Sequence, residues 1–459
     1  MRFINATKSL CPKCLKVIDA RVIEKDNKVY INKVCHDHGH FETVHPWADQ
    51  FYYKVMEGLF KNHLPKAQPD GLVINLTSEC NQNCPFCFAR ANEYGMKGPS
   101  LDEIREKISG FSGSIIYLSG GEPTLRSDLF DIIREVKRLG YKAALFSNGK
   151  KLRDIEFVNK LKESGIDLVI LQFDTFNEHQ CEMLRGERLV ATKLKAIENL
   201  KQTRIPIYLF VMLLKGVNTD QIEKLIRFTA QNSRFIKILN FNPVWEMGRV
   251  GEHEPMNMSD IFVEVEKKSG LGAKNFIDGT VFSYYIFTIY KKLTGKGGNK
   301  HPWCEMRCYI ISDMGKLTVL GQLINIKMFN VYLKRINDRL DEDPNFNKLR
   351  LLVYLPYHFL IWEFLTRKKF RQLIFHIVKC FLNSLFGERK PILMQLNMFS
   401  IIIGTFHTAS NIDLNLVDTC NLYSDFPNGE HQSSCLRQIA VTRQIEASLK
   451  SIHKFNRQD

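Results

Sequence analysis

From about residue 70 to 250, short apolar or β-branched runs alternate with charged segments of helical period, and no other feature narrows the fold as far. The runs are LVINLT, SIIYLS, KAALFS, LVILQF, PIYLFVML and RFIKILNF; segments such as LRSDLFDIIREVKRLG and DIEFVNKLKESG lie between them. Such alternation predicts βα units around a parallel sheet or barrel, with function at the C-terminal ends of the strands. Six runs fall short of the eight of a closed barrel. The expected architecture is therefore α/β, a partial (β/α)6 barrel.

Three cysteines, Cys80, Cys84 and Cys87, follow the first run in CNQNCPFCF. A structural zinc site and an iron–sulfur cubane each want four protein ligands, so this C-x3-C-x2-C motif is one short. Either it holds three irons of a [4Fe–4S] cluster, leaving the fourth to an exogenous ligand, or it is half of a zinc site completed elsewhere. The other strand ends supply SGGEP (with Gly120, Gly121 and Glu122), FSNGK (with Ser147 and Asn148), LQFDT (with Gln172), KGVN and NFNPVWEMGR. Each alone is an ordinary polar turn. Gathered on one rim with the three-cysteine loop, they favour the cluster.

At motif level, residues from about 72 to 250 resemble the radical S-adenosylmethionine (SAM) superfamily, through C-x3-C-x2-C and the GGEP-type second motif. The resemblance implies that the amino and carboxylate groups of SAM chelate the open iron. One electron then cleaves SAM to methionine and a 5′-deoxyadenosyl radical, which abstracts a substrate hydrogen. It implies catalytic roles for Cys80, Cys84 and Cys87, and contact of Glu122 and its two glycines with the SAM amino group. Ser147, Asn148, Gln172 and Arg185 are the further SAM contacts expected. It also implies an electron donor such as ferredoxin or flavodoxin.

Ahead of the barrel, residues 1–65 carry CPKC and CHDHGH, hence Cys11, Cys14, Cys35 and His38. Two such knuckles make a rubredoxin- or zinc-ribbon-like site for one Fe or Zn ion. A structural clip for a module too small to fold without metal is expected ahead of an electron-transfer role. The opening residues lack the apolar core of a signal peptide, and no run of about 18 uninterrupted apolar residues occurs. Together with the C-x2-C spacing these place the chain in the cytoplasm, or peripherally on the inner face of the membrane. The net charge of +15 favours an anionic partner, either nucleic acid or acidic lipid. Mixed acids and bases around the ribbon argue against nucleic acid.

Beyond the barrel (66–250), residues 251–459 are expected to form a Cys-containing auxiliary-cluster and substrate- or membrane-contact region. Of the 12 cysteines, three are assigned to the ribbon and three to the radical motif, which leaves Cys181, Cys304, Cys308, Cys380, Cys420 and Cys435. Cys181 reads as a small buried hydrophobe. Cys304, Cys308, Cys420 and Cys435 are the expected ligands of one auxiliary [4Fe–4S] cluster, against burial as free thiols. Between them, Leu373, Ile374, Ile377, Val378, Phe381, Leu382 and Leu385 recur at helical spacing beside Arg367, Lys368, Lys369 and Arg371. They form a core helix with a basic face, or an interfacial helix on an anionic membrane.

CPKC…CHDHG, CPFCFARANEYGMKGPSLDEI and FNPVWEMGR together resemble the archaeal tetraether lipid synthases, whose relatives are also labelled pterin methyltransferases. That resemblance covers most of the first 250 residues, and the tail more loosely. It implies hydrogen abstraction from an isoprenoid tail followed by C–C joining. The alternatives are a radical SAM enzyme acting on a pterin or a peptide, and a non-enzymatic metal-ribbon protein binding nucleic acid. The tail departs from the subgroup in having fewer cysteines, with Asn421 after Cys420 where adjacent thiols are expected.

Overall fold

The computed structural model describes residues 1–60, 69–93, 98–245, 247–295, 304–313, 316–342, 397–417, 422–425 and 431–443, with 360, 363, 365–367, 371 and 420. The first residues form an antiparallel four-stranded sheet in chain order: β1 (Arg2–Leu10), β2 (Val17–Lys25), β3 (Lys28–Cys35) and β4 (Gly39–Asp49). Asp26 and Asn27 turn β2 into β3, both at positive φ (51° and 60°). Asp and Asn tolerate that region better than other side chains, and a two-residue turn of this hand matches strand twist.

The six apolar runs become six parallel strands: β5 (Gly71–Asn75), β6 (Ile115–Ser119), β7 (Lys142–Ser147), β8 (Leu168–Gln172), β9 (Ile207–Leu213) and β10 (Ile236–Pro243). Ile132, Ile133 and Val136 of one covering helix and Leu225 and Ile226 of another are fully or almost fully buried in the core between helices and sheet. Each such side chain contributes roughly 1.5–3 kcal/mol relative to exposure. The helix Leu101–Ile108 is started by a reciprocal cap. Ser100 Oγ accepts from the Glu103 amide at 3.2 Å, and the Ser100 amide donates to Glu103 Oε2 at 2.6 Å.

Residues beyond 250 extend this sheet at both edges. β11 (Glu305–Asp313) is antiparallel to β12 (Lys316–Val319) and to β13 (Met398–Gly404), and β13 runs parallel to β10. At the other edge, β14 (Leu422–Asp425) runs parallel to β5 and pairs with β15 (His431–Ser433). The tail thus brackets the barrel mouth from both sides. The helix Ala273–Thr294 packs on β11 through Gly279, where a Cβ would stand 2.2 Å from the Arg307 carbonyl oxygen.

The ribbon docks on the loop after β13. Lys33 is fully buried and its Nζ donates to Ser9 Oγ (2.9 Å) and to the carbonyls of Ala409 (3.0 Å) and Ser410 (2.8 Å). Ser9 Oγ donates to the Ile412 carbonyl at 2.6 Å, and Thr7 Oγ1 donates to Asp413. Leu10 and Leu15 share an apolar cluster with Ile412, Leu414 and Leu436.

Cys181 is buried in a small apolar cluster of its own. Among the described residues no helix is long and apolar enough to cross a membrane. The stretch from Leu373 to Leu385, expected as a core or interfacial helix, lies outside the described residues, as do Lys368, Lys369 and Cys380.

Candidate active site

Cys80, Cys84 and Cys87 lie in the loop after β5 and face a cavity of about 1280 Å³ at the C-terminal ends of the parallel strands. The loop is held by side chains rather than by regular structure. The Cys80 amide donates to Asn92 Oδ1 at 2.8 Å, and Asn92 Nδ2 donates back to the Cys80 carbonyl at 3.0 Å. Arg249, at the end of NFNPVWEMGR, acts as a clamp. Its Nη1 donates to Asn83 Oδ1 (2.6 Å) and the Cys84 carbonyl (2.9 Å), and its Nη2 to the Ala91 carbonyl (2.8 Å). Its backbone pairs with Cys87 in both directions, at 2.8 and 3.0 Å. Gly248, at φ +80°, makes this approach possible, since a Cβ there would meet the Cys87 carbonyl oxygen at 2.3 Å.

The SGGEP turn closes over the same loop. Cβ atoms on Gly120 and Gly121 would stand 2.3 Å from the Thr77 oxygen and 2.2 Å from the Glu79 oxygen. The backbone that these glycines admit is the segment leading into Cys80, and both also line the cavity. Glu122 is buried, which raises its carboxyl above the ordinary range. It accepts from Thr124 Oγ1 (2.6 Å), Ser147 Oγ (2.9 Å) and the Asn148 amide (2.7 Å). One carboxylate thus ties β6 to β7 at the cavity wall. Asn148 Nδ2 reaches Asn81 Oδ1 at 2.8 Å and Cys80 Sγ at 3.8 Å.

Arg185, expected at SAM, is engaged twice over. Asp174 takes its Nε and Nη2 at 2.8 and 2.9 Å, and the guanidinium's positive charge also pulls on the Cys84 thiol. Gln172 accepts from buried Lys193 Nζ at 2.7 Å and donates to Asp174, so its amide is oriented from behind. Burial pushes the Cys80 thiol up to about 12 and raises Cys84 against the pull of Arg185. Metal binding in such a pocket releases the thiol protons.

Across the cavity stand Cys304, Cys420 and Cys435, all on its lining. They are close enough for the charges of Cys435 and Cys420 to act on Cys304, and burial raises all three thiols. Cys308 does not join them. Strand alternation turns Glu305 and Arg307 of β11 toward the cavity and sends Cys308 outward with Met306 and Ile310 into the apolar core. The expectation of Cys308 as the fourth auxiliary ligand is thereby corrected. Beside Cys304 stands His407 instead, its Nε2 3.7 Å from Cys304 Sγ, and its backbone draws the Cys435 thiol down against the effect of burial. His407 lies in a stretch without any metal-binding pattern, so spacing alone gave no signal for it; Arg249 closes the NFNPVWEMGR strand end, where nothing local marks it as a clamp on the cysteine loop. An aromatic trio joins the two cysteine groups: Phe88–Trp245 at 5.0 Å, Trp245–Phe406 at 4.9 Å and Phe88–Phe406 at 5.0 Å.

In the ribbon, Cys11, Cys14, Cys35 and His38 have their ligand atoms within 4.8 Å of one another, with His38 Nδ1 3.5 Å from Cys35 Sγ. That spacing fits one tetrahedral ion. Among the described residues no other group of three or more such ligand atoms is drawn in so tightly.

Residues 74–229 match the radical SAM superfamily and residues 3–45 match the HMPTM N-terminal zinc ribbon domain. A 7,8-dihydro-6-hydroxymethylpterin dimethyltransferase of Methanocaldococcus jannaschii is 31% identical over 73% of this chain and 73% of its own. The chain belongs to the radical SAM superfamily. A probable GTP 3′,8-cyclase of Pyrococcus abyssi is 31% identical to this radical SAM enzyme over 38% of the chain and 58% of its own. Among solved structures, SuiB of Streptococcus suis bound to the precursor peptide SuiA has a TM-score of 0.39 at 20% identity, covering 48% of this chain and 49% of its own.

Proposed function

We propose that this radical SAM enzyme is a transferase acting on an unactivated C–H bond of a substrate held inside the barrel, with a second iron–sulfur cluster facing that substrate. The observation that carries this reading is that Cys80, Cys84 and Cys87 and the Cys304, Cys420 and Cys435 group line the same cavity. Its volume exceeds the roughly 300–1,000 Å³ of an ordinary ligand pocket, so SAM and a second molecule fit together. Cys80, Cys84 and Cys87 would hold a [4Fe–4S] cluster with SAM at its open iron. Cys304, Cys420, Cys435 and His407 would hold an auxiliary [4Fe–4S] cluster. When bound, the first cluster and SAM supply a 5′-deoxyadenosyl radical for hydrogen abstraction.

The chain's own part is placement. Arg249 and Asn92 hold the cysteine loop rigid, and Glu122 fixes Ser147 and Asn148 at the SAM side of the cavity. Lys193 and Asp174 fix Gln172. Phe88, Trp245 and Phe406 keep water from the space between the two cysteine groups. An external reductant such as ferredoxin or flavodoxin supplies the electron, and the ribbon holds one Zn or Fe ion as a clip for the loop after β13.

Two substrate classes have support. A pterin, receiving a methyl group, is favoured by the relative whose name says so and which matches across 73% of its own length. A membrane lipid tail, joined to another by a C–C bond in the tetraether synthase manner, is favoured by the apolar barrel wall of Val73, Leu168, Ile170, Ile238 and Ile402. The lipid reading also brings peripheral membrane contact. The pterin class has the broader support of the two.

Anaerobic reconstitution tests the proposal. Iron and sulfide should assemble about two cubanes per chain, and dithionite with SAM should yield methionine and 5′-deoxyadenosine. A dihydropterin should raise that yield more than an isoprenoid diether lipid does. A chain that binds iron only in the ribbon and leaves SAM intact would refute the reading.

A further inference from the structure

Beyond β9, away from the strands that carry Glu122, Ser147 and Gln172, the cavity wall carries polar side chains that the SAM site does not use. Asn240 is buried; its Nδ2 donates to Tyr208 Oη at 2.7 Å, and its Oδ1 has no partner among the described residues. Asn242, on the same side of β10, is 2% exposed and its Nδ2 has none either. On β11, the Arg307 side chain is 8% exposed. Its Nη2 donates to Glu305 Oε1 at 3.0 Å, and its Nη1 lies 3.5 Å from Ser400 Oγ. Its Nε is unpartnered. Asn240, Asn242, Glu305 and Arg307 all line the cavity.

Gly404 of β13 sits between the two strands and leaves the space open. A Cβ there would stand 3.1 Å from Asn242 Oδ1, 3.4 Å from Asn240 Oδ1 and 3.6 Å from the Cys304 carbonyl oxygen. The polar set therefore adjoins the auxiliary cysteines. Buried polar groups without partners each cost about 1–3 kcal/mol, so a chain built this way gains from a ligand that satisfies them.

We infer that Asn240, Asn242, Glu305 and Arg307, around Gly404, form the substrate-recognition site, and that it reads the amide- or amidine-like edge of an uncharged planar heterocycle. The free Nε of Arg307 and Nδ2 of Asn242 are donors, while Asn240 Oδ1 and the Glu305 carboxylate are acceptors. A ring edge that alternates carbonyl and N–H groups meets that pattern. Glu305 and Arg307 cancel in charge, so the site has no excess for a phosphate. A hydrocarbon tail would leave Arg307 Nε, Asn242 Nδ2 and Asn240 Oδ1 dry and unsatisfied. Phe210, Trp245 and Phe406 supply flat aromatic surface on the same cavity. The inference rests on this cavity being the substrate chamber proposed above, and it assigns which side chains choose the substrate.

The test is equilibrium dialysis of the reconstituted full-length protein with SAM and no reductant, so that binding is read without turnover. The probes are 7,8-dihydro-6-hydroxymethylpterin, a pteridine lacking the amino and oxo groups, and an isoprenoid diether lipid in micelles. The pterin should bind at least tenfold more tightly than the bare pteridine. Gly404→Ala, which fills the space, and Asn242→Leu, which keeps the volume and removes the amide, should each weaken pterin binding about tenfold or more. Circular dichroism identifies any variant that fails to fold, and Arg307→Lys then replaces it, with the same expected loss.

Equal binding of the two ring compounds, indifference of the pterin to these variants, or lipid bound by the parent more tightly than the pterin would each overturn the inference. Cleavage of SAM by dithionite, assayed separately, distinguishes the failures. Intact SAM cleavage without ring recognition sinks this inference alone, whereas absent clusters and absent cleavage sink the radical reading beneath it.

Discussion

Asp174 holds the buried Arg185 guanidinium by two parallel bonds and takes the Met212 amide at 2.8 Å with the same carboxylate. Removing one partner of a buried pair leaves an uncompensated charge, so Asp174→Asn should cost about 3–5 kcal/mol, read as a lower midpoint in urea unfolding. A second residue-scale contrast separates ligands from bystanders. Cys304→Ala and His407→Ala should each reduce the iron bound per chain by about one cubane's worth while the SAM-cleaving cluster persists. Cys308→Ala should keep full iron and lose only about 1 kcal/mol of stability for the packing removed from the core. Iron analysis with Mössbauer spectroscopy reads all three; iron lost in Cys308→Ala would restore the cysteine-only ligand set.

At the scale of elements, the end of β10 and the loop after β5 behave as one unit, because Arg249 bonds three residues of that loop from outside. Lysine keeps the charge but lacks the planar fork. Arg249→Lys should therefore leave the fold intact and shorten, several-fold, the lifetime of the cluster's visible absorbance under a chelator. An unchanged lifetime would show the loop to be held by its other contacts. The helix Leu101–Ile108 depends on its cap in a simpler way: Ser100→Ala should lower stability by about 0.5–2 kcal/mol, seen in thermal unfolding.

Over the whole molecule, the ribbon and the tail are mechanically joined. Ser9, Lys33 and Thr7 anchor residues 409–413, a few positions from His407. Stripping the ribbon ion with a chelator too weak to dissolve the clusters should speed amide exchange across residues 405–417. Unchanged exchange there would mean that the apolar contacts of Leu10 and Leu15 suffice to seat the loop.

The sequence by itself determined the six barrel strands, the ribbon's ligand set and the three-cysteine loop. Those features are local: an apolar run of strand length and a tight cysteine spacing are each written within a few residues, and SGGEP and FSNGK mark strand ends by chain order alone. Gln172, the last residue of β8, and Glu122, three residues past β6, were legible as cavity-wall residues for the same reason. Only the tertiary structure set His407 beside Cys304 and took Cys308 away from it. Cys308 has the better chemistry for iron, but its place in the pleat of β11 points it into the core, whereas His407 is carried to Cys304 by β13 pairing with β11. The recognition set was equally hidden, because Asn240, Asn242, Glu305 and Arg307 come from strands far apart in the chain. Sheet order, with β13 inserted between β10 and β11, brings them together. Spacing along a chain can announce ligands on one loop; it carries no signal for groups that meet only when distant strands become neighbours.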